Sequence, residues 1–134
     1  MLPNTKKILI VDDSKGWLDY HQAVLKELYG AEFAPEVANS ARQAYEMVYN
    51  NLEHPYDLII SDLQMELDFE PKHAGEWLIE QIKKLREYQN TPIIIISATY
   101  NIKSIANRLK VACLPKAIAA RDLTSYKLAI DELM

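Results

Sequence analysis

Cysteine is almost missing from this sequence of 134 residues, and Cys113 has no second cysteine with which to pair. An internal disulfide is therefore excluded, and a reduced, cytoplasmic setting is the natural expectation. No apolar run approaches the roughly 20 residues that a membrane-spanning helix needs. The run that ends before Asp12 is too short for the apolar part of a signal peptide. We therefore expect no membrane contact and no targeting segment.

Charge of one sign is not concentrated anywhere in the chain. The formal net charge is -4, with 25% charged and 49% apolar residues, which is the balance of an ordinary globular protein. A protein that binds nucleic acid would be expected to carry a basic face, so we expect no nucleic-acid partner. Internal repeats, low-complexity segments and linkers are missing as well, and the length suits one domain over residues 1–134.

Short apolar runs alternate with amphipathic stretches along the whole chain. The runs predict five strands, at residues 7–11, 32–38, 57–61, 93–96 and 111–114. Apolar residues spaced three and four apart predict five helices, at residues 18–28, 41–52, 74–88, 102–109 and 123–133. The first, third and fourth strands are apolar on both faces, which is typical of a parallel sheet covered by helices on both sides. The pattern therefore predicts an α/β fold of five strand-then-helix units.

Polar residues stand at the carboxyl ends of these strands. Asp12 and Asp13 follow the first strand and Asp62 follows the third, while Ser97 and Lys116 follow the fourth and fifth. In an open parallel sheet, sites form beyond the carboxyl ends of the strands, at the point where the strand order reverses. We therefore expect these five side chains to share one site.

Three carboxylates at one mouth repel one another, which raises at least one pKa unless a cation lies among them. Mg²⁺ suits such a site, because it takes one or two carboxylates, keeps several waters and leaves room for phosphate oxygens. Lys116 can pair with a carboxylate at rest and with a phosphoryl oxygen later, and the Ser97 hydroxyl can donate to the same group. The assembly fits phosphoryl transfer to a carboxylate nucleophile.

Four segments, in order, resemble the four signatures of response-regulator receiver domains. They are residues 8–14 (ILIVDDS), 57–65 (DLIISDLQM), 95–98 (IISA) and 114–116 (LPK). Each segment is a weak signal alone, but four in order at strand ends are strong, and they cover nearly the whole chain. The resemblance implies a CheY-like, doubly wound five-stranded parallel sheet of order 2-1-3-4-5. It also implies a single receiver domain over residues 1–134 with no output domain, working alone or cut from a longer protein.

The resemblance implies that Asp62 accepts a phosphoryl group from a phosphohistidine on a histidine kinase or phosphotransfer protein. It implies that Asp13 and Asp62 bind Mg²⁺ directly, together with the backbone carbonyl of Gln64. Asp12 assists, commonly through a water molecule. Catalysis would be limited to the domain's own phosphorylation and dephosphorylation, so we expect no enzyme in the usual sense.

Other residues take their roles from the same resemblance. Lys116 contacts a phosphoryl oxygen, and Ser97 moves toward the phosphoryl group and reports its presence. The side chains of Gln64 and Thr99, two places beyond Asp62 and Ser97, tune the lifetime of the phosphoryl group. The response switches a surface formed by the fourth helix, the fifth strand and the fifth helix, which an unknown downstream protein would read.

The stretch between Asp62 and Gly75 is several residues longer than is usual in receiver domains. The extra residues, 67–72, would lie beside the mouth of the site. They form either a loop that contacts a partner or a tolerated surface insertion, which is the more common outcome.

Two further positions depart from the family pattern. Cys113 stands where a switch aromatic is common, and Tyr100 is a nearby substitute in sequence. Ala117 follows Lys116 where most family members carry a proline joined by a cis bond. Because a cis bond to a non-proline residue costs about 2.5–4 kcal/mol, we predict a trans Lys116–Ala117 bond and a rearranged loop.

Two other functions stay open. A phosphatase of the haloacid-dehalogenase type also uses an aspartate nucleophile at a strand end. It needs an acidic residue two places further on, whereas Gln64 stands there and has no proton to exchange. A degenerate receiver that only binds partners is the second alternative. The complete set of three aspartates and a lysine speaks against it, while Cys113, Ala117 and the short fourth helix speak for it.

Overall fold

The computed structural model describes residues 5–65 and 73–134 of the chain. The strands there are β1 (Lys6–Val11), β2 (Phe33–Ala38), β3 (Leu58–Ser61), β4 (Ile93–Ser97) and β5 (Ala112–Pro115). The helices are α1 (Lys15–Tyr29), α2 (Ala41–Tyr49), α3 (Ala74–Lys83), α4 (Ile102–Leu109), α5 (Lys116–Arg121) and α6 (Leu123–Asp131). Short 3₁₀ turns follow α1 and α3, at Gly30–Glu32 and Arg86–Tyr88.

The five strands form one parallel sheet in the order β2-β1-β3-β4-β5, which confirms the predicted α/β fold and its strand order. The strand ends align, because Val11 lies opposite Ala38 on one side and Ser61 on the other. Ser97 lies opposite Pro115 in the same way. The residues that follow these strands therefore emerge along one edge of the sheet.

Side chains alternate between two buried clusters, one on each face of the sheet. Leu9, Ile59 and Ile95 face the cluster that is completed by α2, α3 and α4. Their neighbours in sequence, such as Ile10 and Ile60, face the cluster completed by α1, α5 and α6. This arrangement explains the continuous apolar runs in the sequence, because both faces of the central strands are covered.

Two side-chain hydrogen bonds fix the start of α2. The Ser40 hydroxyl accepts a hydrogen bond from the backbone N–H of Gln43 at 3.1 Å, and the Gln43 side chain accepts from the Asn39 N–H at 2.7 Å. The Ser40 side chain therefore caps α2. No helix within residues 5–65 and 73–134 is long and apolar enough to span a bilayer.

Two predicted elements differ most from the structure, and the second helix also ends earlier than predicted, at Tyr49 rather than at residue 52. The third helix ends at Lys83 rather than at residue 88, and Tyr88 is buried from the 3₁₀ turn that follows. After Lys116 the chain enters α5 instead of a loop. The predicted trans Lys116–Ala117 bond fits this helix, because α-helical backbone is built from trans peptides. The predicted extra segment at residues 67–72 lies outside the described residues.

Candidate functional site

Three carboxylates meet at the carboxyl edge of the sheet. Asp12, Asp13 and Asp62 each place an oxygen within 4.8 Å of the other two, a set that could hold a metal ion. Asp12 is 1% exposed and Asp62 is 4% exposed, while Asp13 is half-buried. The structure thus brings together the three predicted acidic residues.

Backbone hydrogen bonds beyond the strand ends hold two of these carboxylates in place. The Asp12 N–H donates to the Ala38 carbonyl at 3.1 Å, and the Asp62 N–H donates to the Val11 carbonyl at 2.9 Å. The sheet ladder therefore continues one residue into the site. The side chain of Asp62 is oriented by the Leu63 N–H, which donates to its Oδ1 at 2.7 Å.

Lys116 spans two of the three carboxylates. Its Nζ lies 2.9 Å from Asp12 Oδ2 and 3.0 Å from Asp62 Oδ2, and its side chain is 12% exposed. The ammonium donates a hydrogen bond to Asp62, whereas its approach to Asp12 is ionic. Asp12 Oδ2 is buried and lies against the Lys116 ammonium without a well-aligned hydrogen bond from the described residues.

Burial and charge act in opposite directions on this site. Burial raises the pKa of Asp12, and the charge of Asp62 adds to the rise, although Lys116 and the Ser14 N–H partly offset both. The pKa of Lys116 is raised even though burial acts to lower it, because Asp12 and Asp62 together favour the ammonium. A single ammonium shared by Asp12 and Asp62 leaves this pair with excess negative charge, which a divalent cation would relieve.

Ser97 is the last residue of β4 and is fully buried. Its hydroxyl lies 2.8 Å from the Thr99 hydroxyl and accepts a hydrogen bond from the Thr99 N–H at 3.2 Å. Gln64 has an exposed side chain, and its N–H makes a long contact of 3.4 Å with Asp62 Oδ1. These predicted residues lie at the edge of the sheet that carries the carboxylates.

Gly75 is required by the close approach of α3 to the site. A Cβ at this position would lie 2.5 Å from Leu63 Cα and 2.6 Å from the Asp62 carbonyl oxygen. Real Cβ atoms do not come so close to backbone, so only glycine fits without displacing the segment that carries Asp62. The sequence shows a glycine here, but the contact that demands it comes only from the packing of α3.

The two positions proposed for a switch aromatic differ in exposure. Tyr100 is fully exposed, so its ring is not packed into the site. Cys113 is half-buried on β5, and burial raises the pKa of its thiol. A raised thiol pKa disfavours the reactive thiolate, in agreement with a packing role for Cys113.

Trp17 is a site residue that the sequence pattern does not reveal, since an aromatic near a helix start usually serves packing. The Nζ of Lys116 lies 4.9 Å from the centroid of its ring. Only the packing of α1 against the start of α5 brings the two residues together.

The fold and the acidic pocket define a doubly wound α/β protein whose site lies at the carboxyl ends of its strands. The family described as the response regulator receiver domain matches residues 8–126, and the chain belongs to this family. Receiver domains are signalling modules rather than conventional enzymes, and they act between kinases or phosphotransfer proteins and downstream targets.

Solved structures agree with the fold. The signal receiver domain of an HD domain-containing protein from Pseudomonas fluorescens is 23% identical with a TM-score of 0.76, over 99% of this chain and 89% of that one. The chemotaxis response regulator CheY4 of Vibrio cholerae is 19% identical with a TM-score of 0.77, over 97% and 99%. The isolated receiver domain of RcsB from Salmonella enterica, with a phosphomimetic, is 24% identical with a TM-score of 0.69, over 96% and 90%.

Proposed function

We propose that this domain accepts a phosphoryl group on Asp62 and thereby relays a signal from a histidine kinase or phosphotransfer protein. The observation that carries the proposal is the bridge made by Lys116, whose Nζ lies 2.9 Å from Asp12 and 3.0 Å from Asp62. An ammonium at this point can neutralise charge on a phosphoryl oxygen attached to Asp62. Phosphoryl transfer depends mainly on such positioning and neutralisation.

The donor set fits Mg²⁺. The carboxylates of Asp12, Asp13 and Asp62 supply hard oxygen ligands, and the buried Asp12 Oδ2 accepts no hydrogen bond from the described residues. In this proposal the backbone carbonyl of Gln64 completes the protein ligands. When bound, Mg²⁺ supplies neutralisation of the negative charge that carboxylates and phosphoryl oxygens would otherwise concentrate in one place.

The transfer itself is a substitution at phosphorus. An oxygen of the Asp62 carboxylate forms a bond to phosphorus, while the bond from phosphorus to the donor breaks and its electron pair leaves with the donor. From acetyl phosphate, the leaving group is acetate, and no proton has to move. Lys116 faces the reacting carboxylate throughout, and the Ser97 hydroxyl donates to the new phosphoryl group.

Other roles follow the family. Gln64 and Thr99 set how long the phosphoryl group persists, because their positions flank the reacting atoms. A surface of α4, β5 and the helical segment after β5 changes on phosphorylation and binds a downstream protein. We propose a cytoplasmic location, a single domain over residues 1–134, and no catalysis beyond the domain's own phosphorylation and dephosphorylation.

Incubation of the purified domain with acetyl phosphate and Mg²⁺, followed by intact-mass measurement, tests the proposal. The wild type is expected to gain one phosphoryl group, and the gain is expected to vanish with Asp62→Asn or with a chelator. Asp19→Asn is a matched control, because Asp19 is exposed on α1 and pairs with Lys15. A gain that persists in Asp62→Asn would place the acceptor elsewhere.

A receiver that only binds partners is the second candidate, and Ala117 and Cys113 favour it, since they replace the proline and aromatic of the usual response. A wild type that gains no mass would support this candidate. A haloacid-dehalogenase-type phosphatase is disfavoured by Gln64, which cannot act as an acid or base. Multiple turnovers of an aryl phosphate would be needed to revive it.

A further inference from the structure

Lys116 is held on a second side that the acidic pocket does not account for. Its Nζ lies 4.9 Å from the centroid of the Trp17 ring. The Lys116 side chain is only 12% exposed. A cation that faces an aromatic ring is attracted by the electron-rich face of that ring, and more strongly once water is removed.

Trp17 is placed by the pocket itself. Asp12 Oδ1 accepts a hydrogen bond from the Ser14 N–H at 2.9 Å. The Ser14 hydroxyl in turn accepts from the Trp17 N–H at 3.2 Å and caps the first turn of α1. The carboxylate that pairs with Lys116 therefore also fixes the start of the helix that carries Trp17.

The next turn of α1 fastens this helix to the segment that carries Lys116. The Tyr20 ring packs edge-on against Trp17 with centroids 5.2 Å apart, and its hydroxyl donates to the Ala119 carbonyl of α5 at 2.6 Å. His21 Nδ1 lies 2.7 Å from the Tyr126 hydroxyl of α6. The first contact joins α1 to α5 and limits how far α5 can move from Trp17, and the second joins α1 to α6.

We propose that Trp17 is a positioning residue for Lys116 in the phosphoryl transfer. The inference rests on the proposed function, and it leaves the bonds made and broken at phosphorus unchanged. Where most receivers have a proline after the lysine, this chain has the exposed Ala117, which leaves the backbone beside Lys116 without a rigid ring. The indole of Trp17 supplies the constraint from the side-chain end, by holding the ammonium between Asp12 and Asp62.

A double-mutant cycle tests this role. Phosphorylation rates with acetyl phosphate and saturating Mg²⁺ are measured for wild type, Trp17→Phe and Trp17→Leu, each with Lys116 present and with Lys116→Met. With Lys116 present, we expect Trp17→Leu to lower the rate about tenfold, which corresponds to about 1.4 kcal/mol. We expect Trp17→Phe to lower the rate by a smaller factor, because a phenyl ring still attracts a cation, though less than an indole does. In the Lys116→Met background we expect Trp17→Leu to change the rate less than twofold, because the ammonium to be positioned is gone.

Trp77→Leu is the matched control, since Trp77 is a partly buried tryptophan that packs in the cluster on the other face of the sheet. It is expected to change the rate by the same factor in both backgrounds. Equal factors for Trp17→Leu in both backgrounds would show that Trp17 serves only packing, and would overturn the inference while the proposed function stands. A wild type that is not phosphorylated would refute the proposed function and the inference together. If the circular dichroism spectrum shows that Trp17→Leu is unfolded, the rate changes caused by Trp17→Phe in the two backgrounds decide the question instead.

Discussion

Asp12 is a buried carboxylate whose charge the described residues of the site offset only in part. Its Oδ2 is buried and accepts no hydrogen bond from them, and burial raises the pKa of its carboxyl group. Lys116 is shared with Asp62 and so cannot balance both carboxylates. The resting site therefore holds electrostatic energy that a bound divalent cation would release.

We accordingly predict that Mg²⁺ stabilises the wild type against unfolding. A cation that binds only the folded state at 100 times its dissociation constant adds about 2.7 kcal/mol to the free energy of unfolding. Thermal unfolding with and without Mg²⁺ measures the effect. Asp13→Ala is expected to remove most of the gain, whereas Asp19→Asn on the exposed part of α1 should keep it. A gain of equal size in Asp13→Ala would argue against a role for Asp13 as a ligand.

Gly75 offers a second test at the scale of one atom. We predict that Gly75→Ala destabilises the domain by about 1–3 kcal/mol, as overpacking does, because the new Cβ would lie 2.5 Å from Leu63 Cα. It should also slow phosphorylation, since the displaced backbone carries Asp62.

Gly16→Ala is the matched control for that change. At Gly16 a Cβ would meet only Ser14 Oγ at 3.7 Å, and alanine favours a helix by up to about 1 kcal/mol. Urea unfolding of both variants is expected to shift in opposite directions. A Gly75→Ala variant as stable as wild type would mean that α3 can move away from Leu63 at little cost.

Single residues differ in how far sequence predicts them. Asp62, Ser97 and Lys116 could be predicted, because each follows a run that reads as a strand, and parallel strand ends share one edge. The role of Trp17 and the need for glycine at position 75 could not be predicted, because each depends on how a helix packs on the sheet. Packing contacts between distant segments leave no local pattern in a single sequence.

Among the elements, the segment after β5 departs most from expectation. The helix α5 is only six residues long, begins at Lys116 and has Pro115 at its N-cap position without a side-chain cap. Neither apolar periodicity nor a capping residue in the sequence therefore indicates this helix. Asp122 then ends it and caps α6, accepting a hydrogen bond from the Ser125 N–H at 3.1 Å. Ala117 lies in the first turn of this helix, and a helix stands where a rearranged loop was expected.

The residue that ends α4 has an unfavourable backbone conformation. Lys110 follows the helix with φ 60° and ψ 49°, in the left-handed region that disfavours residues with a Cβ. Its N–H donates to the Asn107 carbonyl at 3.3 Å, and the Val111 N–H donates to the Ala106 carbonyl at 3.0 Å, which is the hydrogen-bond pattern of a helix end that normally uses glycine.

We predict that Lys110→Gly raises the free energy of unfolding by about 0.5–1 kcal/mol, the strain relieved less the added entropy of the unfolded chain. Lys110→Ala removes the same side chain but keeps the Cβ, and it should give no such gain. Chemical denaturation of the two variants beside wild type measures the difference. Equal stabilisation by both would trace the effect to the lysine side chain rather than to the backbone.

At the scale of the whole molecule, the sheet order and the two clusters follow from pattern alone, since buried parallel strands need helices on both faces. The same layering buries His21, at 1% exposure, between α1 and the segment after β5. Burial first, and the charge of Lys116 second, lower the pKa of His21 to about 4. An unfolded histidine has a pKa near 6.5, so the two states take up this proton at different pH.

Because the pKa of His21 is lower in the folded state than in the unfolded state, acid destabilises the fold through this residue. Above about pH 6.5 both states hold a neutral His21, and its full contribution to stability is present. As the pH falls from about 6.5 to about 4, the unfolded state binds the proton while the folded state does not, so stability is lost at about 1.4 kcal/mol per pH unit, or about 3 kcal/mol in all. Below the folded pKa of about 4 the loss from this group stops.

We therefore predict that His21→Gln, which cannot take up a proton in this range, loses about 3 kcal/mol less stability than wild type between pH 7 and pH 4. Glutamine can still bond to the Tyr126 hydroxyl, so the variant should stay folded even though it packs less well against Trp17. Urea unfolding at several pH values gives the two curves, and carboxylates that titrate in both proteins cancel in the difference. Parallel curves would show that His21 is protonated in the folded state as readily as in the unfolded one, and that the layer between α1 and α6 admits water.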